Sequence, residues 1–271
     1  MSRIISIANQ KGGVGKTTTS VNLAASLAAY KKRVLLIDLD PQGNATMGAG
    51  VDKHQCQTTV YDVLTEKQDV ESVIVSCDQA RFHLLPANGD LVAAEVELMQ
   101  AIGRETRLRH ALEKVADIYD YVIIDCPPSL NMLTVNALVA SDGVIIPMQC
   151  EYYALEGLSA LNNTIKQIAK RINPDLKIEG ILRTMYDPRS SLTNAVSAQL
   201  RKYFGSRVYR VSIPRNVRLA EAPSHGLPAL MYDRNSKGSV AYLALASEIL
   251  RMADSGTGTK TEEQKQSNAG Q

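Results

Sequence analysis

Two lysines five positions apart, Lys11 and Lys16, bracket a glycine-rich turn in the stretch NQKGGVGKTTT, residues 9–19. Gly12, Gly13 and Gly15 let successive backbone N–H groups point into one concavity, with only Val14 carrying a side chain among them. Lys16 can then reach the β- and γ-phosphate oxygens of a nucleotide, and the Thr17 hydroxyl is placed for Mg2+. Thr18 follows in the first turn of a helix whose N-terminus favours an anion. A plain glycine turn feeding a helix is the alternative, and the order strand, loop, Lys-Thr, helix weighs against it. One lysine is enough to neutralise a bound phosphate, so Lys11 needs a reason of its own.

Two further stretches could supply carboxylates. In LLIDLDPQGNAT (35–46), Asp38 and Asp40 stand at i and i+2 on a strand end and are expected to point the same way, before Pro41 and Gly43 turn the chain. Asp38 is a candidate for the Mg2+ shell and Asp40 for orienting an attacking water. The spacing serves equally well for two aspartates that cap a helix. YDYVIIDCPPS (119–129) is an apolar strand ending in Asp125, a carboxylate suited to hold Mg2+ through water. Cys126 has no evident His partner and reads as a buried thiol, and His225 reads as a surface histidine. The segment YRVSIPRNVRLAEAPSHG (209–226) offers a Pro/Asn-rich loop after a strand, which suits a base pocket.

Such groups need a rigid scaffold. The runs 3–8, 33–38, 121–125, 143–148 and 178–185 are apolar and β-branched without polar alternation, which predicts strands buried on both faces. Between them lie helical patterns at 16–32, 153–172 and 191–204, the last with Leu192, Val196, Leu200 and Phe204 expected inward. Strand–helix alternation predicts an α/β fold, a single doubly wound, mostly parallel sheet flanked by helices. One domain is expected over 1–253, its last helix at 237–252 with Val240, Leu243, Ala246 and Leu250 inward. The polar stretch 254–271 lacks apolar periodicity and is expected to be a disordered tail. With 45% hydrophobic and 21% charged residues over 271 positions, the composition is that of an ordinary globular protein. No apolar run approaches the ~20 residues that span a bilayer, and the start of the chain does not read as a signal peptide. Four scattered cysteines without a CxxC pair suggest reduced thiols in the cytoplasm, neither a disulfide framework nor a zinc site.

Charge is unevenly distributed. Between Lys166 and Arg218 lie twelve basic residues and three acids, a net +9 within a chain of net +2, so the remainder is net −7. Arg201 and Lys202 fall on the outer side of the 191–204 helix, Arg189 precedes it, and Arg215 and Arg218 lie on the later loop. A dispersed, solvated surface is one reading; a phosphate-contacting face without sequence readout is the other.

The loop departs from the general phosphate-loop pattern, because Gln10 stands where the first glycine should be and Lys11 follows. In this, KGGVGKT resembles the deviant Walker A motif of the ParA/MinD group of ATPases. Together with DLDPQGNAT, DCPPS, TMYDPR and IPRNVRLAEAPS, the match runs from Met1 to about Arg251 and is similar to the chromosomal ParA/Soj branch. The resemblance implies a P-loop ATPase with ATP and Mg2+ as cofactors, cytoplasmic and nucleoid-associated. It implies that Lys11 crosses the interface of an ATP-sandwich homodimer to touch the partner's nucleotide, that Asp40 positions water, and that Pro214 and Asn216 line the adenine. It also implies non-specific binding of double-stranded DNA in the ATP-loaded state, with Arg189 and Arg218 as contacts and Arg201 and Lys202 as additions, and a ParB-type centromere-binding partner that stimulates slow hydrolysis. A membrane-bound MinD-like protein should end in a basic amphipathic helix, which this polar tail does not resemble, so no membrane partner is expected. Iron-protein relatives need paired cluster cysteines, which Cys126 and Cys150 do not supply. A nucleotide-regulated DNA-binding module with little hydrolysis is the alternative of a different class, and Asp40 separates the two.

Overall fold

The first strand, β1 (Arg3–Ile7), runs into the glycine turn and then into a helix, α1 (Lys16–Ala29). This computed structural model describes residues 2–152 and 154–268, and their side chains except at 154, 156 and 255–268. In chain order there follow β2 (Val34–Asp38), α2 (Asn44–Gly48), α3 (Val60–Leu64), α4 (Val70–Val73), β3 (Val75–Cys77) and β4 (Phe82–Leu85). The middle of the chain supplies α5 (Leu91–Gln100), α6 (Arg107–Glu113), β5 (Tyr121–Asp125), α7 (Met132–Ala140), β6 (Gly143–Gln149) and α8 (Ala154–Arg171). The last third supplies β7 (Lys177–Tyr186), α9 (Ser191–Phe204), β8 (Val208–Pro214), α10 (Val217–Glu221), α11 (Ala229–Tyr232) and α12 (Lys237–Asn268).

Among the described residues the strands form one eight-stranded sheet in the order β3-β4-β2-β5-β1-β6-β7-β8. All neighbours are parallel except the β3–β4 pair. β2 and β5 are buried along their whole length, as their unbroken apolar runs require when helices cover both faces. Successive residues supply opposite layers: Ile123 belongs to the same core layer as Ile5, Leu23 and Leu36, while Ile124 belongs to that of Leu138, Ile146 and Leu158. β1 lies between β5 and β6, and the chain leaves it to build β2 on the far side of β5. The carboxyl ends around β1 therefore form the crevice at which open α/β sheets bind ligands.

β1, β2, β5, β6 and β7 and the helices at 16–32, 153–172 and 191–204 occur where the sequence predicts them, while β8 lies outside the predicted strand runs. The β3–β4 hairpin was not anticipated, being only three and four residues long. Two inward faces were also misassigned. Leu192 is 48% exposed in α9, leaving Val196 and Leu200 to anchor the helix. In α12, Val240 is 54% exposed and the buried stripe is Tyr242, Leu245, Ala246 and Ile249. Tyr242 sets that register, since its hydroxyl shares a hydrogen bond of 3.1 Å with Thr19 Oγ1 beneath α1. α12 also runs past the expected end at 252. Of the stretch expected to be a disordered tail, 269–271 lie outside the described residues.

The β8 edge of the sheet is specially built. The backbone N–H groups of Arg210 and Val211 donate to the Glu248 carboxylate, at 2.8 and 3.1 Å. The β7–β8 register slips on both sides of Arg183. The buried Arg183 guanidinium bridges the gap, donating to the carbonyls of Tyr209 (3.0 Å) and Arg210 (2.9 Å) and to Ser197 Oγ (3.0 Å). Arg183 thus belongs to the interior and not to the basic surface suggested by its sequence neighbours.

Candidate nucleotide site

The glycine turn is shaped by backbone conformation. Gly13 and Gly15 have φ of +71° and +88°, where L side chains are strained, and Gly15 is the N-cap of α1. No side chain caps that helix, so its first-turn N–H groups remain open to an anion. Lys16 is only 7% exposed, and the acceptor its amine finds is the Lys11 carbonyl at a marginal 3.5 Å. A buried ammonium without an anion is poorly satisfied; a phosphate would supply what it lacks. The loop is braced from behind: Thr184 Oγ1 donates to the Val14 carbonyl (2.8 Å) and Asn9 Nδ2 to the Pro147 carbonyl (2.7 Å).

β1, β2 and β5 end level, with Asp38 and Ile7 both in register with Asp125. Both carboxylates are fully buried. Asp125 accepts from Thr17 Oγ1 (2.7 Å) and Ser20 Oγ (2.8 Å). Asp38 accepts from the N–H and the hydroxyl of Thr46 (2.8 Å each) and from the Asp40 N–H (3.1 Å). Burial pushes Asp38 up to about 6 against the pull of these hydrogen bonds. Burial, followed by the neighbouring Asp38 charge, pushes Asp125 up to about 8. Two buried like charges side by side fit a divalent cation, which would relieve both. Among the described residues no cluster of three or more His, Cys, Asp or Glu could hold a metal alone. A cation here would take its other ligands from Thr17, water and phosphate, which is the habit of Mg2+.

Asp38 and Asp40 do not act as the matched pair that their spacing suggested. β2 ends at Asp38, which turns into the interior, while Asp40 sits half-buried in the following turn with Oδ1 accepting from the Gln42 N–H (3.0 Å). Gly43 closes that turn at φ +61°, where a Cβ would stand 2.8 Å from the Ala87 carbonyl. Pro214, Asn216, Gly15 and Thr18 line a cleft of about 180 Å³ beside the phosphate loop. Asn216 Oδ1 accepts from the Leu219 N–H at 3.3 Å and so caps α10. Lys11 lies apart from these groups, its side chain 50% exposed and its amine 2.5 Å from Glu151 Oε2. Cys126 is buried and its thiol is pushed up by that burial, which makes it a poor nucleophile. His225 stacks on Tyr232, with ring centroids 4.8 Å apart.

Of the candidate DNA contacts, Arg189 and the Arg201–Lys202 pair lie at opposite ends of α9. Arg189 makes a two-pronged pair with Asp187, which holds that carboxyl down at about 2, and Arg218 pairs with Glu221 and Asp233. Arg201 and Lys202 occupy the last turn of α9, while Arg189 precedes its first. At 1.5 Å per residue that is a separation of roughly 18 Å.

Comparison with known proteins agrees with this geometry. A family model described as an AAA domain matches residues 2–178. The chain is 56% identical over 249 residues to the sporulation initiation inhibitor protein Soj of Bacillus subtilis, covering 92% of this chain and 98% of that protein. The chain belongs to the ParA/Soj family. Another relative is the chromosome partitioning protein ParA of Myxococcus xanthus, 52% identical over 249 residues that cover 92% of this chain and 88% of that one. In structure, this ParA/Soj member is similar to a cobyrinic acid a,c-diamide synthase from Mycobacterium smegmatis crystallised with ADP and magnesium. That match has a TM-score of 0.83 and 39% identity, covering 94% of this chain and 97% of the other. It is also similar to the cell division ATPase MinD of Pyrococcus furiosus, with TM-score 0.77 and 27% identity over 93% and 100% of the two chains. Among the described residues, no helix of this family member is long and apolar enough to cross a membrane.

The sequence reading missed Thr46, Ser20, Thr184 and Glu151. Ser20 was accessible in principle, because it lies one helical turn after Lys16 and so shares a face with it. The others meet partners that sequence proximity does not reveal.

Proposed function

We propose that this ParA/Soj-family ATPase is an ATP-dependent dimerising switch. ATP and Mg2+ fill the phosphate loop, and two loaded copies close face to face. The closed pair binds double-stranded DNA without sequence preference. A ParB-type centromere-binding partner then stimulates slow hydrolysis, which opens the pair and releases the DNA. Repeated, this cycle segregates chromosomes or plasmids in the cytoplasm, over the nucleoid.

The observation that carries this reading is the contrast between the two lysines of one loop. Lys16 lies inside, short of anionic partners, whereas Lys11 lies half exposed with its amine on Glu151. Two triphosphates of about four negative charges each repel when brought face to face. A lysine projecting from each subunit offsets that repulsion only when both sites are loaded. The adenine nucleotide and magnesium held by the Mycobacterium smegmatis relative support the same cofactors here.

Within the site, Lys16 neutralises the terminal phosphates, and Thr17 and Asp125 hold the metal with Asp38 behind them. Mg2+, when bound, supplies charge compensation for phosphoryl transfer. Asp40 orients the attacking water, a demand for positioning more than for covalent chemistry. Pro214 and Asn216 bound the base. Sedimentation of wild type and Lys11→Ala, each with ADP and with a non-hydrolysable ATP analogue, tests the reading. Association should occur only with the analogue and only in wild type. Equal association of Lys11→Ala would sink the role of the outer lysine.

A further inference from the structure

Thr46 lies in α2, fully buried, and its polar groups serve two neighbours at once. Its N–H and its hydroxyl both donate to Asp38 Oδ2, at 2.8 Å each. The same hydroxyl oxygen accepts from the Ala87 N–H at 3.0 Å. A threonine hydroxyl has a single proton, and Ala87 N–H can only donate, so that proton goes to Asp38. The run from Ala87 N–H through Thr46 O–H to Asp38 therefore has a fixed polarity, in which each bond strengthens the next. A buried hydroxyl is costly unless paired, so packing alone would be met here without an oxygen.

The two oxygens of Asp38 become unequal as a result. A carboxylate has about four acceptor positions, shared between its oxygens. Thr46 fills those of Oδ2, whereas Oδ1 takes the Asp40 N–H at 3.1 Å and keeps acceptor capacity to spare. Oδ1 is thereby also tied to the turn that bears the Asp40 carboxylate. Ala87 holds that turn from the other side, since its carbonyl closes against Gly43, where a Cβ would stand 2.8 Å away. One peptide stretch fixes Thr46 through its N–H and the Asp40 turn through its C=O.

We propose that Thr46 is a positioning residue for ATP hydrolysis: its hydroxyl takes Oδ2 of Asp38 out of use and leaves Oδ1 to serve the Mg2+ shell, in fixed relation to the Asp40 turn. This rests on the nucleotide and Mg2+ reading above. Thr46 reaches the reaction through Asp38 and not by touching a reacting atom. Without the hydroxyl, Asp38 keeps one backbone donor on each oxygen, from residues 46 and 40, and nothing sorts the two oxygens any longer. The carboxylate then meets the cation in more than one arrangement, and the productive one is populated less.

The test is calorimetric titration of the full chain with a non-hydrolysable ATP analogue, first in chelator and then over a range of Mg2+, beside steady-state hydrolysis of ATP. Thr46→Val keeps the shape and removes the hydroxyl, whereas Thr46→Ser keeps the hydroxyl and removes a methyl. The valine variant, assayed well below its Tm, should bind the analogue in chelator as wild type does. It should need roughly tenfold more Mg2+ for half-maximal tightening, and its kcat should fall roughly tenfold with KM unchanged, as loss of a hydrogen bond to a charged group implies. The serine variant should stay within about threefold of wild type on both counts. In an Asp38→Asn background, Thr46→Val should add nothing to the Mg2+ shift, and a full shift there overturns the route through Asp38. If the valine variant responds to Mg2+ as wild type does and the serine variant does not, the methyl matters in place of the hydroxyl and the proposal is overturned. Should the valine variant not fold, a serine variant that has lost the Mg2+ response overturns it equally. If Mg2+ leaves wild-type affinity unchanged, the metal reading falls and takes this role of Thr46 with it.

Discussion

At the ends of β2 and β5 two carboxylates, Asp38 and Asp125, lie side by side out of water, whereas at the α9–β8 turn Lys202 and Arg207 stand in it. Each region gathers charge of one sign, but the energetics differ. Burial makes the acidic pair costly to ionise, so protons and a divalent cation control it. Exposure makes the basic cluster cheap to maintain, so dissolved salt screens it. One cluster of charge is thus shielded from dissolved ions and the other is open to them.

The sharpest way to break the interior half of the contrast is Lys16→Ala. Loss of three donors to a triphosphate should weaken nucleotide binding by about a thousandfold or more in calorimetry; a loss under tenfold would refute its role. Next comes Asp40→Ala, which should slow single-turnover hydrolysis by roughly a hundredfold while ATP affinity holds. Unchanged turnover would favour a static nucleotide ligand. Thr46→Val strips Asp38 of a hydroxyl and leaves the Ala87 N–H without its acceptor, Thr46 Oγ1 at 3.0 Å. A destabilisation of ~1–3 kcal/mol should appear as a drop of several degrees in Tm.

Acidity probes the buried pair directly. Both carboxyls hold their protons more tightly folded than unfolded, so the stability they contribute is complete below about pH 4 and is lost as pH rises through about 6 and then about 8. The nucleotide-free protein should therefore melt a few degrees lower at pH 8.5 than at pH 5. Asp125→Asn should flatten that trend, and Mg2+ with nucleotide should offset it; a trend unaltered in Asp125→Asn would show that other groups set it. The smallest effect belongs to Glu151→Gln, because the Lys11–Glu151 pair is half exposed. Its removal should leave Tm within about a degree.

The legibility of the molecule followed the distance over which its chemistry is assembled. The phosphate loop was plain because glycines, lysine, threonine and helix are contiguous, and the buried strands were plain because their apolar runs are unbroken. Asp38 and Asp125 were both legible as strand ends, but nothing local could foretell that Thr46, eight residues after Asp38, would claim it. Thr184 meets the loop across 170 residues and Glu151 meets Lys11 across 140, so no local pattern could reveal either. Arg183 shows the limit of counting charges, since it lies in the basic third of the chain yet serves as an interior strut. In α12 the periodicity was read correctly and the face was not, because a tyrosine with a buried partner outweighed two aliphatic residues.

The carboxylate of Glu248 has one more consequence. An outermost strand normally offers its free amides to any extended segment that comes near, which is how sheets fuse into fibres or swap pieces between molecules. With the amides of Arg210 and Val211 already claimed, that flank has two fewer donors to offer an added strand. Glu248→Ala should free both amides and raise the tendency to aggregate on heating, read by light scattering.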